Sequence, residues 1–277
     1  MRENAREKIY FSTLGIPLII CMLAFFWIVY TLSTGATTLS WDLVTRSALQ
    51  GGMFEMIIGT IYLLGGAAII AGPIGVLAAV YLVEYAPNGR LTHIIDQAIN
   101  NLAGVPSVVV GLFGFTFFAR QIGLGISLLT GWLTLALMML PIVIRGSEEA
   151  IKMIPPSFKE AALGLGATKW KSISSMTLSA AFPGIVTSVI LGMARIAGET
   201  AAILFTSCVF ITRGLPKSPL EPVMSLAYNL FIQITVVGER SQVIFGMALI
   251  LFSIITSFAL VAIILRTYYR RRQLWLR

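Results

Sequence analysis

Within the stretch "LGMARIAGETAAILF" (residues 191–205), an arginine and a glutamate, Arg195 and Glu199, interrupt a run otherwise suited to hydrocarbon. A guanidinium presents a planar fork of donors that matches carboxylate and phosphate oxygens. At the centre of a spanning helix an arginine costs roughly 2.5 to 3.5 kcal/mol on insertion scales, so something must offset it. The spacing supplies one partner, because residues four apart share a helical face and Glu199 can pair with Arg195. Ala194, Ala197, Gly198 and Ala201 are small enough to admit a neighbouring helix. Two readings fit: an ion pair that fixes helix packing, or a guanidinium on the route of an anion. Arg145, at the end of the apolar run in "LPIVIRGSEE", raises the same choice. It is either a snorkelling anchor with Glu148 or Glu149 as partner, or part of an inner exit.

Other chemistries lack their residues. The single histidine, His93, has no second His, Cys or paired carboxylate at ligand spacing, and reads as a surface residue. Cys21 and Cys208 sit in or at the end of apolar runs, which does not indicate a disulfide framework. No G-x-x-x-x-G-K-[ST] loop occurs, and the nearest string, "GLGATK", has the wrong spacing, so no ATP site of that type is carried here. A membrane enzyme acting on lipid phosphates would need a nucleophile or metal constellation, and the spans offer neither. The sequence therefore predicts no catalytic residue, no metal and no cofactor.

The elements that must position these charges are membrane helices. The chain has 277 residues, 57% of hydrophobic type and 12% charged, with a mean hydropathy of +0.88. These values lie far from those of a soluble domain. Apolar runs at 9–32, 56–83, 97–119, 121–144 and 241–265 each exceed the roughly 20 residues needed to cross a bilayer as helix. A sixth, 184–207, qualifies if Arg195 and Glu199 are tolerated. The first run is too long for the apolar part of a signal peptide and lacks a prompt cleavage site, which predicts a retained helix. With six spans, Arg2, Arg6, Lys8, Arg90, Arg145, Lys152, Lys159, Lys169, Lys171, Arg266, Arg270, Arg271, Arg272 and Arg277 fall on the side of the termini. Arg46, Arg120, Arg213, Lys217 and Arg240 fall opposite. The positive-inside rule then places both termini in the cytoplasm. The tail "YYRRRQLWLR" reads as a topology anchor against anionic lipid rather than a nucleic-acid contact.

Gly59, Gly65, Gly66, Gly72 and Gly75 mark the second span for close packing, and Pro73 should kink it. Asn100 and Asn101 stand at the cytoplasmic mouth of the third, with Pro106 one turn in. The long segment 145–184 predicts two short cytoplasmic helices. Ser157 and Glu160 have capping-box spacing, Gly164 and Gly166 end the first helix, and Thr168 caps a second that runs to about residue 181, ahead of Pro183. Such a pair is either a linker on the lipid surface or a docking element presenting Ala and Leu to a groove on another protein. Between the last two spans, "TRGLPKSPLEPVMSLAYNLFIQITVVGER" predicts a short helix that meets an external protein or closes an outer gate.

"EAALGLGATKWKSISSMTL" resembles the EAA loop of ABC importer permeases, matching at Glu160, Ala161, Ala162, Gly166 and Leu178. Met176 and Ser179 replace the Ile and Pro of that pattern. Its place between the fourth and fifth of six spans is where the pattern belongs. "PIGVLAAVYLVEYAPNGRL", "INNLAGVPSVVVGLFGF" and "ILGMARIAGETAAILFT" are together similar to the phosphate-specific transport (Pst) permeases, and the short N-terminus is more similar to the PstA type than to the PstC type. The resemblance implies an all-α polytopic membrane protein of six helices with the type I ABC importer permease fold and a cytoplasmic EAA coupling loop. It implies import of inorganic phosphate across a bacterial inner membrane by alternating access, with a PstC-type permease, a PstB-type ATPase homodimer and a PstS-type binding protein as partners. Molybdate, sulfate or phosphonate is the neighbouring alternative. Arg195 would then meet the anion, Glu199 would hold the guanidinium in its absence, and Arg145 would stand near the exit. Glu160, Ala161, Ala162 and Gly166 would form the ATPase contact. The expected organisation is 1–52 for the N-terminal tail, first span and loop, 53–265 for the permease core with the EAA loop at about 156–180, and 266–277 for a basic tail.

Overall fold

The computed structural model describes residues 2–87, 89–237 and 242–273, with side chains described for 17–23, 25–87, 89–237 and 243–268. The predicted topology-setting positions Arg240 and Arg277 lie outside these residues, as do the side chains of Arg2, Arg6, Lys8 and Arg270 to Arg272. Twelve helices are described: α1 Arg2–Thr38, α2 Trp41–Thr45, α3 Phe54–Val80, α4 Arg90–Gly104, α5 Ser107–Gly114, α6 Leu128–Lys152, α7 Pro156–Gly164, α8 Lys169–Ser172, α9 Leu178–Ala197, α10 Ala201–Thr206, α11 Leu226–Ile232 and α12 Gln242–Gln273. Among the described residues, five stretches are long and apolar enough to cross a membrane: Pro17–Thr38, Phe54–Tyr85, Leu128–Lys152, Lys169–Ala197 and Val243–Tyr268. A bent pair, Arg90–Gly104 with Ser107–Gln121, makes a sixth if counted as one. Helices are the expected solution, because each backbone polar group in hydrocarbon must be satisfied within its own segment or by protein.

The core lies where α3, α6 and α9 meet, with Leu63, Leu64 and Ala67 facing Leu135, Met139, Val143 and Ile196. Glycine makes these approaches possible. A Cβ on Gly75 would stand 2.7 Å from Val143 Cγ1, and Gly66 lies beneath the Trp132 ring, whose Nε1 donates to the Tyr62 carbonyl at 2.8 Å. Of the five glycines marked in the second span, Gly66 and Gly75 serve packing against α6, Gly59 meets Val223 and Met224, and Gly65 has nothing near its Cβ position. Helix α1 sits outside this core and braces α12: Gly35 abuts Phe245 and Leu249, and the Tyr30 and Phe245 rings meet edge to face with centroids 6.4 Å apart.

Four expectations change. The third span is not one helix, since α4 and α5 meet at 102°. Val105 adopts φ −67°, ψ 130°, because a residue before proline is pushed out of the helical region, here by Pro106. Residues 97–104 belong instead to an amphipathic helix that turns Asp96 and Asn100 toward α6 and leaves Leu91 and Ile94 exposed. The fourth span begins at Leu128 rather than at 121, after a turn that uses the positive φ of Gly123 and Gly125, with Ser127 as cap. The second helix predicted for the segment 145–184 does not stop before the fifth span: α8, a wide turn at Ile173–Thr177 and α9 run on without a gap, and Pro183 lies inside α9. Finally, α12 carries on to Gln273, so most of the basic tail extends the last span as helix.

The segment before α11 packs deeply against the end of the bundle away from α7. Leu226 N donates to Thr60 Oγ1 at 3.0 Å, and Val223 exchanges backbone hydrogen bonds with Ser207 and Val209. Met224, Leu226 and Asn229 are fully buried. The predicted short helix is α11, extended by a wide turn to Val237.

Helices α5 and α10 touch backbone to backbone at Gly111, where an added Cβ would lie 2.8 Å from Ala202 Cα and 3.0 Å from Ala201 O. Neither neighbour can yield as a flexible side chain would. Gly111→Val should therefore destabilise the chain by about 1 to 3 kcal/mol, the usual penalty for overpacking. Gly104→Ala, with nothing near its Cβ position, should leave stability unchanged. Thermal unfolding in detergent, followed by tryptophan fluorescence, compares the two.

Candidate functional site

Arg195 stands in the last turn of α9, and Glu199 stands just beyond that helix. The helix stops because Gly198 leaves the regular conformation at φ −94°, ψ 8°, and Glu199 N turns back to the Ile196 carbonyl at 3.1 Å. Thr200 then opens α10 without a side-chain cap. The predicted pair forms, at 3.1 Å from Arg195 Nη1 to Glu199 Oε2, but across a helix break rather than along a continuous face. Its two members differ in environment. The Glu199 side chain is 8% exposed and that of Arg195 is 57% exposed. One nitrogen of the guanidinium is engaged, and its other donors meet no acceptor among the described residues. Around the break, Gly111 of α5 fits against Ala201 and Ala202, and Ser127 N donates to the Thr206 carbonyl at 3.1 Å. The result is a cation held at one corner and open on the others, an arrangement suited to an oxyanion.

Arg145 is surrounded. Nη1 reaches Asp96 Oδ1 at 2.8 Å and both oxygens of Glu148, at 3.0 and 3.1 Å. Nη2 donates to the Asp96 carbonyl and to Asn100 Oδ1, each at 3.0 Å, and Nε reaches the same Asn100 oxygen at 3.2 Å. Lys152 Nζ adds a 3.3 Å contact to Glu148, whose side chain is 6% exposed. Of the two carboxylates weighed in the sequence, the ion-pair partner is Glu148. Asp96 is the one that sequence spacing could not show, because it lies 49 residues away on α4. Its sequence signal is the four-residue spacing of Asp96 and Asn100 on an amphipathic helix that also carries His93, Gln97 and Asn101.

The segment carrying Glu160 is a tight helical hairpin at the same end of the molecule. Helix α7 starts with Pro156 at its first position, and the expected capping box at Ser157 does not form. Proline's fixed φ and missing N–H suit that position and begin the helix two residues earlier, with Pro155 in place of Ser157 at the cap. At the other end the glycine expectation holds: Gly166 takes φ +85°, a conformation that glycine adopts without steric cost, and Ala167 N bonds back to the Ala162 carbonyl at 3.1 Å. Thr168 caps α8 as expected, accepting from Lys171 N. Glu160, Ala161 and Gly166 are exposed with Leu163 and Leu165, whereas Ala162 is buried. Glu84, a residue missed by sequence reasoning, ties the hairpin to the end of α3. Its carboxylate pairs with Lys159, its carbonyl accepts from Lys169 Nζ at 2.6 Å, and that ammonium lies 4.4 Å from the centroid of the Tyr85 ring. No group of His, Cys, Asp and Glu able to hold a metal occurs among the described residues.

Residues 71–274 match the family model described as "Binding-protein-dependent transport system inner membrane component". The chain is 36% identical over 208 residues to "Phosphate transport system permease protein PstA 1" of Mycobacterium tuberculosis strain CDC 1551 / Oshkosh, covering 73% of this chain and 68% of that protein. It is 37% identical over 213 residues to "Phosphate transport system permease protein PstA" of Haemophilus influenzae, covering 74% of each. Among solved structures, an inward-facing form of the MetNI methionine ABC transporter superposes with a TM-score of 0.59 at 19% identity, over 78% of this chain and 96% of that one. A bacterial ABC transporter involved in the import of the acidic polysaccharide alginate gives 0.63 at 17% identity, over 98% of both chains. The fold is that of ABC importer permeases, and the chain belongs to the family of inner-membrane components of binding-protein-dependent transport systems.

Proposed function

We propose that this chain is the PstA-type permease subunit of an ATP-driven importer that carries inorganic phosphate into the cytoplasm by alternating access. The observation that carries the reading is the half-open guanidinium of Arg195, seated at a break in a membrane helix in a chain whose relatives are named phosphate permeases. Phosphate at neutral pH bears one to two negative charges, and the free donors of Arg195 can bond it in parallel. Glu199 holds the guanidinium between passages, and a single cation permits release as well as capture. Arg145, already balanced by Asp96 and Glu148, holds the inner ends of α4 and α6 together instead of meeting the anion. The partners are a PstC-type permease, a PstB-type ATPase homodimer and a PstS-type phosphate-binding protein. The ATPase docks on the exposed face of Glu160, Ala161, Leu163 and Gly166, on the cytoplasmic side where both termini lie.

Removing a charge-assisted contact costs about 1.5 to 3 kcal/mol, or roughly ten- to a hundredfold in rate. Arg195→Gln, in a complex shown by co-purification to be assembled, should lower binding-protein-dependent phosphate uptake by that factor. Normal uptake with the complex intact would sink the anion contact, and sulfate or molybdate displacing phosphate in competition would reassign the substrate.

Reversing the charge on the hairpin tests the other half of the reading. Glu160→Lys should cut co-purification of the ATPase subunit and uncouple its hydrolysis from the binding protein. An unchanged complex with unchanged uptake would remove the docking role.

A further inference from the structure

A cavity of about 340 Å³ opens between the ends of α6, α9 and α12 nearest the coupling hairpin, and its lining includes Glu149, Gly184, Thr187, Ser188, Leu191 and Arg266. Its residues on α9 are not scattered. Leu191, Ser188 and Gly184 recur at the spacing of one helical face, and Arg195 is the next member of that stripe. At 1.5 Å per residue the stripe runs from about 6 Å below Arg195 at Leu191 to about 16 Å at Gly184. Helix α12 borders the same face in antiparallel register. Ile255 packs against Gly198, and Arg266, eleven residues further along α12, reaches the cavity beside Thr187, eleven residues back along α9.

Two charges mark the mouth. Arg266 and Glu149 are both exposed, line the same cavity and form no ion pair with a described residue. That differs from the nearby Arg145, whose guanidinium is bonded on every side. Resting on the transport reading given above, we propose that this cavity is the inner vestibule through which the phosphate-type oxyanion leaves Arg195, with Arg266 as its second cationic contact and Glu149 as the carboxylate that keeps the hold weak. An anion drawn from Arg195 toward Arg266 moves along a wall of small residues and two hydroxyls, Thr187 and Ser188, under a field that favours it. Glu149 opposes its retention at the end. The bound chemistry is a phosphate dianion or monoanion, and the source is the transported ion, not a lipid headgroup.

The test uses the assembled transporter in proteoliposomes with the cytoplasmic face outward. Leu191→Cys is introduced over Cys21→Ser, leaving the buried Cys208 in place, and the rates of an anionic sulfonate and a cationic trimethylammonium thiol reagent are compared. A cationic mouth concentrates anions, so the anionic reagent should react about tenfold faster. Millimolar inorganic phosphate should slow it. Arg266→Gln should abolish both the charge preference and the protection and should lower uptake severalfold, while Arg266→Lys keeps all three. Glu149→Gln should strengthen protection by phosphate and slow turnover. Labelling indifferent to charge and to phosphate would overturn the proposal even if Arg266→Gln failed to assemble, since that measurement needs only the parental charges. A rate that follows the anionic-lipid content of the vesicles and ignores phosphate would overturn it in favour of a headgroup. Protection by sulfate or molybdate but not phosphate would support the vestibule while removing phosphate as the substrate.

Discussion

Inside a bilayer a peptide group released from its helix has no water to turn to, and that constraint governs this molecule. The chain interrupts its membrane helices at Val105 to Pro106 and at Gly198 to Thr200. The helices that follow the two interruptions, α5 and α10, pack against each other at Gly111, so close that no side chain would fit there. The second break thus lies against α5 and α6, with Glu199 buried beside it, whereas Gly104 to Pro106 at the first remain partly exposed. Non-helical backbone at depth is tolerated where protein or a cavity covers it, and such places are where a transport route can be built. Arg195 and Glu199 lie at one of them.

Three arginines of the bundle differ in how completely the protein neutralises them. Arg145 is bonded by two carboxylates, a carbonyl and an amide oxygen, and a further anion there would meet net negative charge. It joins α4 to α6, and α4 has almost no buried apolar face of its own with which to hold that position. Arg195 has a single carboxylate at one corner, and Arg266 has none among the described residues. Partial neutralisation offsets part of the insertion cost of Arg195 and still leaves donors unpaired among the described residues. Full neutralisation of Arg145 gives a lock instead.

Much of this was legible in the sequence because it depends on local chemistry. Apolar length identified α1, α3 and α12, four-residue spacing gave the pairing of Arg195 with Glu199, and Thr168 and Gly166 marked the turn of the hairpin correctly. Where two local signals competed, the sequence misled. Hydropathy joined residues 97 to 119 into a span, while the proline at 106 cut it and turned 97 to 104 into part of an amphipathic helix. Ser157 offered a capping box, yet Pro156 had already started the helix. Two partners were out of reach because they are tertiary: Asp96, far along the chain from Arg145, and Glu84, far from Lys159. A lone carboxylate at the end of an apolar run gives its position but not which cation it will meet.

The continuity of Lys169–Ala197 has a mechanical consequence that separate helices would not have. The hairpin begins this rod and Arg195 lies near its end, about 39 Å away at 1.5 Å per residue. A partner that displaces α7 pulls on Lys159 and Lys169, both tied to Glu84 at the foot of α3, so the hairpin can move only by carrying α3 along or by pivoting on that carboxylate. In either case the motion enters α9 at its base. The rod's regular hydrogen-bonding is interrupted at the wide turn of Ile173–Thr177 and at Pro183, both toward its base, and it leans on α6 at Gly146 and Gly192, where side chains already fill the gap. Tight contact above and a compliant turn below make tilting about the α6 contact easier than bending within α9. A tilt changes the angle at Gly198, and with it the reach between Arg195 on the rod and Glu199 beyond it. On the transport reading proposed above, this ion pair is also the joint at which movement of the hairpin reaches the anion on the guanidinium.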